Sequence, residues 1–204
     1  MNDVTPIKKG RKFDQVLEGA RSVFLADGYE GASVDNIARA AGVSKATLYS
    51  YFADKKLLFM EVAKAECRAQ IEGASEIMEE YAAPAQVLRD AATRTLGLVL
   101  SDFGQSIFRM CVAESDRFPE LGREFFRTGP AVFHERMCAY LTEATRRGDL
   151  SVPDVDLAAH QFIELCHAHL FTEMVFGIRK SVTPAEVDRV VEGAVDVFLA
   201  RYGA

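Results

Sequence analysis

The chain has 204 residues, 49% of them hydrophobic, with a net charge of −6, which is enough to bury a substantial core in one large or two small domains. Its apolar runs are only a few residues long and the start, MNDVTPIKKGRK, has no apolar stretch, so neither a membrane-spanning helix nor a signal sequence is expected and the reading is a cytoplasmic protein. Cys67, Cys111, Cys138 and Cys166 lack C-x-x-C spacing, which argues against a zinc knuckle or a disulfide framework and leaves them as core residues. The acidity is uneven: residues 1–56 hold nine Lys and Arg against seven Asp and Glu, and the remainder fifteen against twenty-three. A weakly basic head on an acidic body suits a chain in which only the head meets phosphates.

Lys8, Lys9, Arg11 and Lys12 form a basic arm, either a solvated terminus or a contact to the backbone or minor groove of DNA. A first helix follows to about Ala26, with Phe13, Val16, Leu17, Ala20, Val23 and Phe24 on its inner stripe and Gly28 at its end. Ser33 can cap a second helix carrying Val34, Ile37, Ala38 and Ala41. Gly42 supplies a left-handed turn, and Ser44 caps a third helix with Leu48 and Phe52 inward. Two short helices around a glycine turn define a helix-turn-helix. The spacing leaves Lys45, Ala46, Thr47 and Tyr49 outward, as a plain solvated face or as a reader of a groove. Ser44, Lys45, Thr47, Tyr49, Tyr51, Lys55 and Lys56 pack many hydrogen-bond donors into a short span, and phosphate contacts draw on such side chains.

The stretch AGVSKATLYSYFADKKLLF resembles the signature of the TetR family of bacterial repressors: the AGVS turn, the TLYxYF recognition helix and the F-x-x-K entry to the next helix. The likeness covers about the first sixty residues. It implies an all-α protein with a three-helix DNA-binding head, with Tyr29 as an aromatic plug and Lys55 as the phosphate-binding lysine at the start of helix four. On this reading the head occupies residues 1–53, a connecting helix 54–81 and an effector-binding and dimerisation domain 82–204.

Asp54 caps the fourth helix, whose pattern runs to about Tyr81 and whose length suits it to carry a shift from body to head. Pro84 opens a fifth helix, and a break at Ser101–Gly104 leads to a short sixth through Ile107, Phe108, Met110, Cys111 and Glu114. A helical turn or two spans Glu120–Thr128, and a seventh helix runs from Pro130 to Gly148. RFPELGREFFRTGP followed by a long helix resembles the AefR-like C-terminal domain of the TetR group. The eighth helix, from about Val155 to Phe176, is apolar on nearly all sides, and Thr183-Pro184-Ala185-Glu186 opens the ninth with a capping box. About nine helices result. A helix apolar all round needs cover all round, which predicts a homodimer through the eighth and ninth helices, as the resemblance also implies.

Phe103, Phe108, Met110, Cys111, Phe125, Phe126, Phe162, Cys166 and Met174 are core residues or, with the polar Glu114, His134 and His167, the lining of an apolar effector pocket, its usual location in the family. His160, Glu164 and His167 share a helical face that could bind a divalent metal, but further ligands are not identifiable and no metal or cofactor is assigned. No catalytic motif is present and no enzyme is expected.

The expected protein is thus a ligand-responsive homodimeric repressor, released from a double-stranded operator by a small, largely apolar effector. Ser44–Tyr51 enters successive major grooves about 34–36 Å apart or slightly more. Lys45 and Thr47 are the expected base readers, Ser33, Tyr49, Tyr51 and Lys55 the phosphate contacts, and Ser44 mainly a cap. A metal- or thiol-responsive sensor on the same scaffold, or an activator, is the alternative.

Overall fold

The computed structural model describes residues 10–75, 83–116 and 119–204, with side chains for all of these except 66–75, Glu114 and Leu121. The chain forms two compact units, Met1–Glu66 and Cys67–Ala204. Among the described residues there are eleven helices and no strand beyond an isolated bridge between Leu150 and Gly203.

In the first unit, α1 (Arg11–Gly31) buries Phe13, Val16, Ala20, Val23 and Phe24 of the predicted stripe, while Leu17 is half-buried. Gly28, at φ 69°, interrupts the helix where the sequence anticipates its end. Arg11 and Lys12 stand in the first turn of α1 rather than in an arm, while Lys8 and Lys9 lie outside the described residues. Helices α2 (Val34–Ala40) and α3 (Lys45–Tyr51) follow, separated by Gly42 at φ 63°. The Ser33 hydroxyl accepts from Asn36 N at 3.1 Å and the Ser44 hydroxyl from Thr47 N at 3.1 Å, so each short helix has its free amides capped by serine. Phe24 meets Phe59 edge-on at 4.8 Å, and Phe13 packs on Phe52 at 5.4 Å. Such aromatic pairs add about 0.5–1.5 kcal/mol each beyond the area they bury.

Helix α4 (Lys55–Ser75) begins in the first unit and ends in the second. The predicted continuation to Tyr81 falls on residues outside those described.

The second unit comprises α5 (Pro84–Val99), α6 (Asp102–Glu114), α7 (Pro119–Thr128), α8 (Pro130–Arg147), α9 (Val155–Cys166), α10 (Leu170–Val175) and α11 (Pro184–Tyr202). Its core joins Leu88 and Leu96 of α5, Leu141 of α8, Phe162 and Cys166 of α9 and Phe198 of α11. Arg89 also holds Glu192 across α5 and α11 at 2.6 Å. The helix count exceeds nine for two reasons. The turn expected at Glu120–Thr128 is a full helix, and the single helix expected over 155–176 is two. His169 adopts φ 49°, a left-handed backbone that breaks the apolar run between α9 and α10. The break before α6 is likewise narrower than expected: Ser101 caps the helix directly, accepting from Gly104 N at 3.0 Å.

Candidate functional site

The head presents a compact set of polar side chains. Ser33, Ser44, Lys45, Ala46 and Tyr49 are exposed, and Thr47, Tyr51 and Lys55 are half-buried. Three of them carry internal commitments that the sequence does not reveal. Lys45 Nζ lies 2.5 Å from Asp35 Oδ1, and this hydrogen bond and charge raise the lysine pKa. The Thr47 hydroxyl sits 2.9 Å from that of Ser44. Lys55 Nζ donates to the carbonyls of Tyr29 at 2.8 Å and Ala32 at 3.0 Å, and lies 4.4 Å from the centre of the Tyr29 ring. An ammonium has three N–H donors. Two of those on Lys55 therefore hold the link between α1 and α2, and one is left for an outside acceptor. Tyr29 itself packs on Phe59 at 4.9 Å, inside the head. Tyr51 is steadied edge-on by Phe13 at 5.8 Å.

A cavity of about 820 Å³ opens inside the second unit between α5, α6, α7, α8, α9 and α10. Of the twelve pocket candidates, Phe108, Phe125, Phe126, His134 and His167 line it. Phe103, Met110, Cys111, Phe162, Cys166 and Met174 do not; they are buried in packing. The Glu114 side chain lies outside the described residues. Helical phase explains the division on α9. His160, Ile163, Glu164 and His167 form one stripe facing the cavity, whereas Phe162 and Cys166 face the core, with Phe162 against Phe198 at 5.2 Å. Burial pushes the Cys166 thiol up to about 12, as suits an inert core cysteine. Cys138 is half-buried and Cys67 lies outside the described side chains.

The cavity wall is aromatic, with polar groups set into it. Phe108 meets Phe171 edge-on at 5.1 Å, and Phe171 stacks under His167 at 4.5 Å. The turn at His169 brings these last two together. Arg94 and Arg136, absent from the sequence-based set, also line the wall, as do Phe133 and Tyr140. Two buried polar atoms there, Tyr140 Oη and His167 Nε2, have no hydrogen-bond partner among the described residues. Burial pushes the Tyr140 phenol up to about 12 and lowers the His167 pKa, so the imidazole is held neutral. His160, Glu164 and His167, the helical face to which no metal is assigned, do not converge: His167 Nδ1 is 3.9 Å from Glu164, while His160 stacks on His134 at 4.1 Å.

A serine-capped helix-turn-helix joined to a helical body with an apolar cavity is the architecture of a DNA-binding transcription regulator. The chain belongs to the TetR family: residues 16–62 match the model for bacterial regulatory proteins of the tetR family, and residues 86–204 match the AefR-like transcriptional repressor C-terminal domain. A TetR-family transcriptional regulator from Mesorhizobium loti superimposes with a TM-score of 0.81 at 29% identity, covering 95% of this chain and 98% of that one. The flavonoid-responsive regulator FrrA is 34% identical, with a TM-score of 0.65 over 96% of this chain and 98% of its own. Among curated relatives, the repressor AcnR of Corynebacterium efficiens is 36% identical over 76 residues, 37% of this chain and 40% of that protein. The fatty acid metabolism regulator protein of Bacillus subtilis is 28% identical over 100 residues, 49% and 52% of the two chains. The matched segments thus span about half or less of those curated relatives. No single helix among the described residues is long and apolar enough to cross a membrane.

Proposed function

We propose that the protein is a dimeric repressor that leaves its operator when a small, largely apolar effector with one or two hydrogen-bonding groups enters the cavity. The observation that carries this reading is the pairing of an aromatic wall with two buried, unpartnered polar atoms, Tyr140 Oη and His167 Nε2. Both atoms are closed off as the wall stands, and leaving them unmet costs about 1–3 kcal/mol each, a cost that a ligand's own polar groups relieve where its entry parts the wall. The flavonoid response of FrrA supports a planar aromatic ligand, and a fold neighbour, FadR of Bacillus subtilis, is known in complex with stearoyl-CoA.

In this account residues 1–53 read DNA, 54–81 connect and 82–204 bind effector and dimerise. Lys45 and Thr47 read bases, with Ala46 small enough to let the helix approach them. Ser33, Tyr49, Tyr51 and the one N–H left on Lys55 hold phosphates, and Ser44 caps. Lys45 exchanges Asp35 for DNA, which sharpens selection because the carboxylate repels a duplex approached out of register. The dimer forms through the segments expected as the eighth and ninth helices, α9 with α10 and α11, which carry the exposed Leu157 and Val197. Effector energy acts through α4 on the separation of the two heads, and only its differential affinity for the two separations contributes.

The test is retardation of DNA upstream of the protein's own gene, titrated separately with a flavonoid aglycone and with stearoyl-CoA. Selective retardation, released by one of the two, is the expected result. Binding without sequence preference, or selective binding that neither ligand alters, counts against the proposal.

A further inference from the structure

Beside the cavity, α8 and α9 bring together three side chains, His134, Cys138 and Asp156, of which only His134 also lines the cavity. His134 and Cys138 are one turn apart on α8, and Asp156 stands in the first turn of α9. His134 Nε2 lies 3.6 Å from Cys138 Sγ and 3.3 Å from Asp156 Oδ1, and the three ligand atoms are all within 4.8 Å of one another.

These separations match a known coordination geometry. Zinc bonds of about 2.0–2.1 Å to nitrogen or oxygen and about 2.3 Å to sulfur, at tetrahedral angles, put nitrogen and oxygen about 3.3 Å apart and nitrogen and sulfur about 3.6 Å apart. Two edges of the tetrahedron are therefore already in place around His134. The His160 ring, one turn beyond Asp156, stacks on that of His134 at 4.1 Å and fixes its plane. Of the three groups Cys138 is the one that must give up a proton to act as a ligand, and a divalent cation favours its thiolate.

We propose that His134, Cys138 and Asp156 form a zinc site that clips α8 to α9, with a fourth coordination position open to water. On binding, the Cys138 thiol gives its proton to solvent and the sulfur bonds to the metal as thiolate. The chain takes up one ion, and one of its ligands, His134, also lines the effector cavity. The site stands independently of the effector reading, because its ligands contact one another whatever the cavity binds.

Full-length protein is titrated with zinc against a chromophoric chelator, alongside Cys138→Ser and Asp156→Asn, neither of which lines the cavity. One high-affinity ion per chain is expected, weakened at least about tenfold by each substitution, with helical circular dichroism unchanged. Cobalt bound to the unsubstituted protein supplies a second readout that needs no variant: a thiolate-to-cobalt charge-transfer band, absent in Cys138→Ser. No zinc uptake, equal affinity in all three proteins, or a cobalt spectrum without that band overturns the site.

Discussion

A Cβ on Gly19 of α1 would stand 2.5 Å from the backbone nitrogen of Ala41, the residue that ends α2. The helix-turn-helix is therefore seated directly on α1, at a separation only glycine permits. Gly19→Ala is expected to force α2 outward and destabilise the head by about 1–3 kcal/mol, the usual range for overpacking, with a parallel loss of operator affinity. Gly97, on α5, has nothing within 4 Å of its Cβ position. There the same change is expected to stabilise by about 0.5–1 kcal/mol, as a helical glycine replaced by alanine does. Thermal unfolding of both variants measures the contrast.

Lys55→Ala removes two hydrogen bonds from a charged donor to the Tyr29 and Ala32 carbonyls. Bonds to charged groups are worth about 1.5–3 kcal/mol each, so the variant should unfold earlier as well as bind DNA less tightly. The salt dependence of binding separates the two roles: loss of a phosphate contact lowers the slope by about 1, while a purely structural role leaves it unchanged.

Tyr140→Phe is expected to have opposite effects on stability and on response. The hydroxyl is buried without a partner, and removing it should raise the melting temperature of the ligand-free protein. If that hydroxyl meets the effector, the variant should also need more ligand to leave DNA. Calorimetric melting and release titrations on the same samples check both signs.

Glu186 accepts from Thr183 N at 2.8 Å and pairs with Arg179, and these contacts lower its pKa from 4.5 to about 2. A depressed carboxylate contributes stability that is present above the unfolded-state value of 4.5 and is lost as pH falls through the folded-state value of about 2. Glu186→Gln should therefore lower the melting temperature at pH 7, with the difference from the unsubstituted protein shrinking below pH 4.5. Melting curves across that range test it.

The head was legible because its signals are local. Ser33, Ser44 and Gly42 specify two caps and a turn without reference to distant residues. The body was legible only in outline. His169 breaks the helix inside the stretch Leu165-Cys166-His167-Ala168-His169-Leu170-Phe171, which holds neither glycine nor proline, and nothing in that pattern marks a non-glycine residue at positive φ. The pocket candidates divided between cavity and core because periodicity gives the faces of a helix but not what lies opposite each. Phe162 and His167 are both on α9 or its cap, yet only one faces the cavity. Gly19 and the inward turn of Lys55 depend on contacts between segments more than twenty residues apart, and the meeting of Cys138 with Asp156 depends on the packing of two separate helices.

The central claim is that Lys45 to Tyr51 reads a near-palindromic operator as part of a dimer. Selection of duplexes from a randomised pool by the full-length protein, run beside Thr47→Ala, tests it most directly. The account predicts enrichment of two inverted half-sites about one helical turn apart or slightly more, with Thr47→Ala relaxing the preference at one symmetry-related pair of positions by about 1–3 kcal/mol. Failure to enrich any inverted repeat, or a Thr47→Ala preference identical at every position, would contradict it.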